Sequence, residues 1–376
     1  MNKVTFLHTS DWQLGMTRWF LSPEAQARFE EDRLVAIRKL GEIALDRGCE
    51  FIVVAGDVFE HNSLSQRTFG RAKEALSKVP IDVYLLPGNH DPLSADSMLR
   101  KVAELPNVHL LDSNEPVHVR EGVELVGAPL LSKHPSGDLV AAALAPLAPQ
   151  QEGAIRILVG HGQAESRGGE ATIDLGTIEQ ALVDRVIDYV ALGDTHSTEQ
   201  VGSSGNVWFS GSPETTDFHD RASAGGGEND SGNVIVVTIE NHLVQVEKIP
   251  VGRWVFEAVS YDVNSSVDID AFFADLDAYA EKSRTVVKYA LQGTLGVEDM
   301  RRLEQGLEER EPIFAALYER RRLTSLAVEP TAEELTELEL AGYAKAAMHE
   351  LLAENDDPTA ADALRLLFRF AQESAR

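Results

Sequence analysis

Five short polar segments, each set directly behind an apolar run, limit what this chain can fold into: Asp11-Trp12-Gln13, Gly56-Asp57, Gly88-Asn89-His90-Asp91, Gly160-His161 and Gly193-Asp194-Thr195-His196. The runs before them, residues 3–8, 51–55, 81–86, 155–159 and 189–192, are short and apolar and read as strands. Strands that each end in a polar loop set those loops along one edge of a sheet, where open α/β architectures bind their ligands. Carboxylate, amide and imidazole groups from distant parts of the chain then converge. That is how a site for two metal ions is assembled.

The remaining pattern organises the chain around this edge. Ser22 as N-cap and Pro23 at the first helical position predict a helix that stops near Gly48, and a second helix spans about 65–78. Residues 207–210, 234–239 and 243–248 have no long helices between them and predict antiparallel strands closing the domain, with 224–233 a mobile glycine-rich loop. From Trp254 the order becomes strand, helix, strand, helix, strand over 255–261, 269–282, 286–291, 297–308 and 313–318. Two helices follow Pro330, one ending near Asn355 and one running from Pro358 onward. Three parts are therefore expected: a catalytic domain over 1–255, a small α+β capping domain over 256–328, and C-terminal helices over 329–376 that could bind a partner.

Composition narrows the partners. Lys and Arg number 34 against 61 Asp and Glu, a formal charge of -27, which argues against a broad surface that coats nucleic acid. If DNA is the substrate, metal ions or a partner must supply much of the attraction. The lone Cys49 cannot form an internal disulfide and fits a reducing compartment. No basic leader with a long apolar stretch opens the sequence, and no run approaches the roughly 20 apolar residues needed to cross a bilayer. The expectation is a cytoplasmic protein without a membrane partner.

A dinuclear hydrolase needs ligands for two cations about 3.5–4 Å apart, with a bridging carboxylate. Asp57 is the natural bridge, and the neighbouring glycines allow sharp turns beside the ligands. Each segment alone is common, and a histidine after a strand is more often a hydrogen-bonded loop residue than a ligand. All five in order, each at a strand end, carry the weight.

On these motifs the chain resembles the calcineurin-like metallophosphoesterases, whose pattern runs Asp-x-His, Gly-Asp, Gly-Asn-His-Asp/Glu, Gly-His and Gly-His-x-His. Residues 8–15, Gly56-Asp57-Val58-Phe59 and Gly211-Ser212-Pro213, with a small domain following, are similar to the SbcD-like nuclease branch of that superfamily. The resemblance covers about residues 1–255. It implies an α/β fold, a layered α/β/β/α sandwich with a small α+β capping domain and a C-terminal helical tail. It also places Asp11, Gln13, Asp57 and His196 around one metal and Asp57, Asn89, His161 and Asp194 around the other. His90 becomes the proton donor to the leaving group, a task suited to imidazole because it titrates near neutral pH. Asp91 either orients His90 or caps the next turn.

Two departures stand out. Gln13 replaces the usual histidine and offers a weaker neutral oxygen, and Asp194 replaces the first histidine of Gly-His-x-His. Asp11, Asp57 and Asp194 together shift the site toward oxygen ligation and two divalent cations of a hard kind, Mn2+ above all. The implied function is a DNA exonuclease or endonuclease of repair that uses a two-metal-activated hydroxide, works with an SbcC-like coiled-coil ATPase and forms a possible homodimer. A phosphodiesterase for nucleotides or small esters, and a non-catalytic DNA-end or partner-binding scaffold, are the alternatives. Trp12, Arg18, Trp19 and Phe20 either grip nucleic acid or pack under a loop. Arg301, Arg302, Arg310, Arg320, Arg321 and Arg322 either contact phosphates or pair with Glu304, Glu308 and Glu309. The apolar positions Leu335, Leu338, Leu340, Tyr343, Ala347, Met348, Leu351 and Leu352 either dock on the ATPase or pack on their own domain.

Overall fold

The structure is a computed structural model and describes residues 2–133, 136–164, 172–221, 227–329 and 342–353, with 359, 360, 362–364, 366, 367 and 370 beyond them. Contacts divide the chain into two compact units, Met1–Asp220 with Gly225–Phe256, and Arg221–Ala224 with Glu257–Arg376.

The first unit runs β1 (Lys3–Thr9), α1 (Pro23–Asp46), β2 (Phe51–Val54), α2 (Gln66–Ser77), β3 (Asp82–Leu85), α3 (Met98–Val102), β4 (Val108–Leu110), β5 (Val117–Arg120) and β6 (Val123–Gly127). It continues with α4 (Leu139–Leu144), β7 (Ile155–His161), α5 (Leu175–Val183), β8 (Tyr189–Gly193), β9 (Glu199–Val201), β10 (Val207–Phe209), the two-residue β11 (His219–Asp220), β12 (Asn233–Glu240) and β13 (Leu243–Pro250). Two six-stranded sheets result, ordered β13-β12-β1-β2-β3-β4 and β5-β6-β7-β8-β10-β9.

Alternation along the strands builds the layers. Phe51 and Val53 point into a core shared with Tyr189 and Ala191 of the other sheet, whereas Ile52 and Val54 join Leu34, Ile37 and Leu40 of α1. Val190 and Leu192 pack instead with Ile178 and Leu182 of α5. Both faces of the central strands are thus covered, and these strands read as continuous apolar runs. The product is the α/β/β/α sandwich expected from the sequence. Helix α1 starts where Ser22 accepts from Ala25 N at 3.2 Å and ends at Asp46, with the chain turning away at Gly48, whose φ of +65° suits a glycine.

One strand direction differs from expectation. β10 pairs parallel with β8, and its antiparallel partner is the short β9. β12 and β13 do form an antiparallel hairpin, and β12 also runs antiparallel to β1.

In the second unit β14 (Val255–Asp262), β15 (Thr285–Leu295), β16 (Ala316–Glu319) and β17 (Ser325–Val328) form the sheet, with α6 (Ser266–Asp277) and α7 (Val297–Arg310) supplying Phe272, Phe273 and Leu303 to its core. β16 and β17 both pair parallel with β15, at successive stretches of that long strand. The segment Tyr343–Ala353 is helical, and its Met348 packs with Leu364, Val297 and Val328 of the same unit. Leu335, Leu338 and Leu340, and the expected helix end at residues 354–358, lie outside the described residues. Among the described residues no helix is long and apolar enough to cross a membrane.

Candidate metal centre

β1, β2 and β3 run parallel, as do β7 and β8, so their carboxyl ends face the same way. Asp11 and Gln13 follow β1, Asp57 follows β2, Asn89 and His90 follow β3, His161 ends β7, and Asp194 follows β8. The first two loops are laced together by Asp11 N donating to Gly56 O at 3.0 Å and Gln13 N donating to Asp57 O at 3.0 Å. Asp11, Gln13, Asp57 and Asp194 hold φ of +53°, +48°, +54° and +96°. Such backbone costs an ordinary residue about 1–3 kcal/mol and persists where the surroundings over-determine it.

The motif glycines have a steric cause. A Cβ on Gly56 would lie 2.2 Å from His161 Nδ1, and one on Gly193 would lie 1.9 Å from Ala55 O. The two sheets meet here with no room for a methyl group.

Ligand atoms of Asp11, Asp57 and His161 lie within 4.8 Å of one another, and all three residues are buried. His161 Nε2 is 3.5 Å from Asp57 Oδ1 and 3.7 Å from Asp194 Oδ1, while His196 Nε2 is 3.9 Å from Asp11 Oδ1. Gln13 Nε2 donates to Asp57 Oδ2 at 3.1 Å and leaves Oε1 buried with no partner. Asn89 presents its amide oxygen at 2.8 Å from His161 Nε2. Turning that amide over would bring its nitrogen 3.2 Å and 3.3 Å from the Asp57 carboxylate instead. Either way the Asn89 amide lies against His161 and Asp57, and carboxylates, amides and imidazoles form a donor set that divalent ions accept. The residues present fit the metal group.

Charge tells the same story. Burial pushes the Asp11 carboxyl up to about 6, with the neighbouring Asp57 charge adding to it and His196 and His161 opposing it. Burial would also raise Asp57, but the adjacent His161 pulls it below the usual carboxylate range. The Asp57, Asp11 and Asp194 carboxylates draw His161 well above its ordinary value against the effect of burial. Packed acids stabilise positive charge at their centre, whether a proton or a cation.

Backbone carbonyls settle two imidazoles, because a carbonyl can only accept. His161 Nδ1 donates to Ala55 O at 2.8 Å, which leaves Nε2, facing the carboxylates, as the nitrogen that a proton or a metal ion would occupy. His90 Nδ1 donates to Glu60 O at 2.9 Å, and its backbone N–H donates to Asp57 Oδ1 at 3.0 Å. His90 is thus tied to the ligand cluster by its main chain while its ring is held elsewhere.

Several details depart from the sequence-based expectation. Asp91 does not bond His90: its two oxygens accept from Phe59 N at 3.0 Å and Gly88 N at 2.8 Å, so it clamps the two loops by their main chains. Burial and the Asp57 charge push it up to about 7. Trp12 is buried, its indole N–H on Thr9 Oγ1 at 3.0 Å, and is no platform for a base. Trp19 is 85% exposed, not core, whereas Phe20 packs on Phe218 and Phe256. Residues 222–226 lie outside the described residues, but the rest of the loop expected to be mobile is tied down: Glu228 N donates to Phe218 O at 3.1 Å and Thr198 N to Asp230 O at 2.8 Å. Arg302 pairs with Asp270 and Arg310 with Asp277, not with the glutamates of α7.

The sequence reading missed Arg33 and Glu228. Arg33, buried in α1, donates to Trp12 O at 2.9 Å and Thr215 O at 2.9 Å, and so braces the first ligand loop from beneath. Nothing local marks it, since an arginine in a helix ordinarily faces water.

His8 supports the same edge without facing the cluster. Its Nε2 donates to Leu192 O at 3.2 Å, its Nδ1 accepts from Tyr189 OH at 3.0 Å, and burial pulls its pKa down to about 3. The folded protein therefore keeps His8 neutral while the unfolded chain takes up a proton near pH 6.5. The contribution is complete above pH 6.5 and is lost below it at about 1.4 kcal/mol per pH unit. Urea unfolding at pH 6.5 and 5.5 should show the wild type losing about 1 kcal/mol more than His8→Gln over that step. Equal losses would sink this assignment.

Layered sheets with carboxylates, amides and imidazoles gathered at one edge define a metal-dependent hydrolase. The chain matches the calcineurin-like phosphoesterases over residues 4–198 and belongs to that family, whose members use divalent metal ions, typically two. It is similar to the uncharacterized metallophosphoesterase YhaO of Bacillus subtilis, at 31% identity over 122 residues, covering 31% of this chain and 29% of that protein. It is also similar to the DNA double-strand break repair protein Mre11 of Archaeoglobus fulgidus, at 32% identity over 113 residues, covering 29% of this chain and 23% of that one. The matched stretches span less than a third of these curated relatives. Among solved structures it is similar to TT1561 of Thermus thermophilus, at 12% identity and a TM-score of 0.42, covering 66% of this chain and 100% of that one. A dimetal phosphatase from Danio rerio matches at 9% identity and a TM-score of 0.37, covering 66% and 99%.

Proposed function

We propose that this protein is a manganese-dependent nuclease that hydrolyses phosphodiester bonds at DNA ends in repair. The observation that carries the metal chemistry is the convergence of Asp11, Asp57 and His161 within 4.8 Å, with the amides of Gln13 and Asn89 against the same residues. Asp11, Gln13, Asp57 and His196 would hold one ion, and Asp57, Asn89, His161 and Asp194 the other. Two divalent ions bound there would supply an acidified water as nucleophile at neutral pH and neutralise charge on a phosphate. Three carboxylates and two amide oxygens favour Mn2+ over a softer ion.

The chain's own part is positioning and proton delivery. His90, with Nδ1–H committed to Glu60 O, would as the imidazolium carry its second proton on Nε2 and hand that proton to the departing oxygen, returning to the neutral ring. DNA as substrate draws support from the likeness to a protein named for double-strand break repair, at 32% identity over 113 residues. Exposed Trp19 offers a face on which a base could stack. With a net charge of -27 the free chain repels DNA, which fits dependence on cations and on a partner such as an SbcC-like ATPase in the cytoplasm, and on a second copy of the nuclease.

End-labelled linear duplex DNA incubated with Mn2+ should be shortened by the wild type, and neither by His90→Ala nor in the presence of a chelator. Turnover of bis(p-nitrophenyl) phosphate with the duplex left intact would overturn the DNA assignment in favour of a small-ester phosphodiesterase.

A further inference from the structure

We propose that Glu228, acting through the Thr216 hydroxyl, is a positioning residue that makes His196 a metal ligand by deciding which imidazole nitrogen carries the proton. The inference rests on the metal assignment above and names a part of the site that no motif contains.

Thr216 Oγ1 lies 2.5 Å from both His196 Nδ1 and Glu228 Oε2. A hydroxyl has one proton to give, so its direction decides the chemistry on both sides. The Glu228 carboxylate is buried and already accepts from Thr216 N at 2.9 Å and Asp217 N at 2.8 Å. Two backbone donors aimed at one carboxylate favour its ionised form, and an ionised carboxylate only accepts. The Thr216 proton therefore points to Glu228. The free lone pair of Oγ1 then accepts a hydrogen bond from His196 Nδ1–H, which leaves Nε2, on the opposite side of the ring and 3.9 Å from Asp11 Oδ1, as the nitrogen a metal ion would take.

His161 reaches the same tautomer through the carbonyl of Ala55. His196 has a charged side chain in that part, relayed by a hydroxyl, an arrangement that orients and strengthens imidazole ligands. The geometry is anchored from the loop side. Gly227 has a φ of +79°, a Cβ there would lie 1.9 Å from Phe218 O, and Glu228 N bonds that same carbonyl at 3.1 Å. Glu228 cannot drift without breaking this contact.

Replacing the carboxylate by an amide weakens the relay. In Glu228→Gln one of the two backbone donors, Thr216 N or Asp217 N, must face an NH2, and the Thr216 hydroxyl loses the charged acceptor that fixes its direction, so His196 Nδ1–H loses its oriented partner. Thr216→Val removes the relay altogether, and Thr216→Ser keeps it.

The test is calorimetric titration of the full metal-free chain with Mn2+ for the wild type and the three variants, with thermal unfolding before titration to establish that each is folded. Glu228→Gln and Thr216→Val should bind one of two ions about 10–100-fold more weakly, and Thr216→Ser within about threefold of wild type. Wild-type affinity in Glu228→Gln or Thr216→Val overturns the inference, as does a Thr216→Ser variant as weak as Thr216→Val. If Glu228→Gln does not fold, the Val and Ser pair at 216 decides. A wild type that binds no Mn2+ at all overturns the metal assignment, and the inference with it, so the two failures are told apart.

Discussion

His90→Ala should lower the rate of DNA cleavage by about 10²–10⁴-fold while leaving Mn2+ binding unchanged, the range expected when a general acid is removed. The separation follows from where His90 makes its contacts. Its backbone N–H, which alanine keeps, is the group that holds Asp57 Oδ1 at 3.0 Å. Its ring is held by Glu60 O at 2.9 Å and is not among the proposed ligands, so truncation removes a proton source and leaves the ligand set intact. The defect should also depend on the leaving group. A deoxyribose oxygen departs poorly without a proton, whereas p-nitrophenolate departs readily. Steady-state rates on duplex DNA and on bis(p-nitrophenyl) phosphate, with Mn2+ affinity measured alongside, check both halves. Equal losses on the two substrates would remove His90 from the role of proton donor, and a fall in Mn2+ affinity would make it part of the metal cradle instead.

How much of this was legible in the sequence depended on whether a role is written locally. β1, β2, β3, β7 and β8 are buried on both faces and so appear as unbroken apolar runs, and the polar residues behind them had to meet once the strands ran parallel. The direction of β10 was not legible, because its antiparallel partner β9 is three residues, Glu-Gln-Val, with only Val201 buried. β17 was missed for the same reason: four partly exposed residues pair with the far end of β15. For Asp91 the sequence leaves open orienting His90 or capping the next turn, and its bonds go instead to main-chain groups of Phe59 and Gly88 that no side-chain pattern records. Glu228 lies in a glycine-rich stretch that composition marks as a loop. Its neighbours Thr216 and His196 are 12 and 32 positions away, and only the closed fold reveals the triad. Gln13 was legible as a departure but not as a consequence: sequence shows a weaker donor in place of imidazole, and structure shows its oxygen buried without a partner.

Asp57→Asn should abolish activity and the stabilisation that Mn2+ confers, without destabilising the metal-free fold. Asp57 is the carboxylate on which the others converge: Oδ1 accepts from His90 N at 3.0 Å, Oδ2 accepts from Gln13 Nε2 at 3.1 Å, and His161 Nε2 lies 3.5 Å away. A Cβ on Gly88 would lie 2.1 Å from its Oδ1, so only a glycine there lets the Asp57 carboxylate lie against the third loop. An asparagine of the same shape keeps the bond from His90 N and presents NH2 where Oδ2 was. Gln13 can meet it by turning over its amide, whose oxygen has no other partner. In the metal-free protein the exchange removes one of three crowded carboxylates, and the Asp57 charge is among the causes that raise both Asp11 and Asp91. Relief of that repulsion offsets loss of the attraction to His161, so stability without metal should stay near or above wild type. With Mn2+ at 100 times its dissociation constant the wild type gains about 2.7 kcal/mol of stability for each ion bound, because an ion that binds only the folded state shifts the equilibrium by mass action. At the same concentration Asp57→Asn should gain nothing measurable, and its turnover should fall at least about 10³-fold, since one lost charge is shared by both ions. Thermal unfolding of both proteins with and without Mn2+ reads the two claims together. A metal-dependent shift that survives in Asp57→Asn would mean that the ions are held without a bridging carboxylate, and the two-ion arrangement drawn from this edge of the sheets would have to be abandoned.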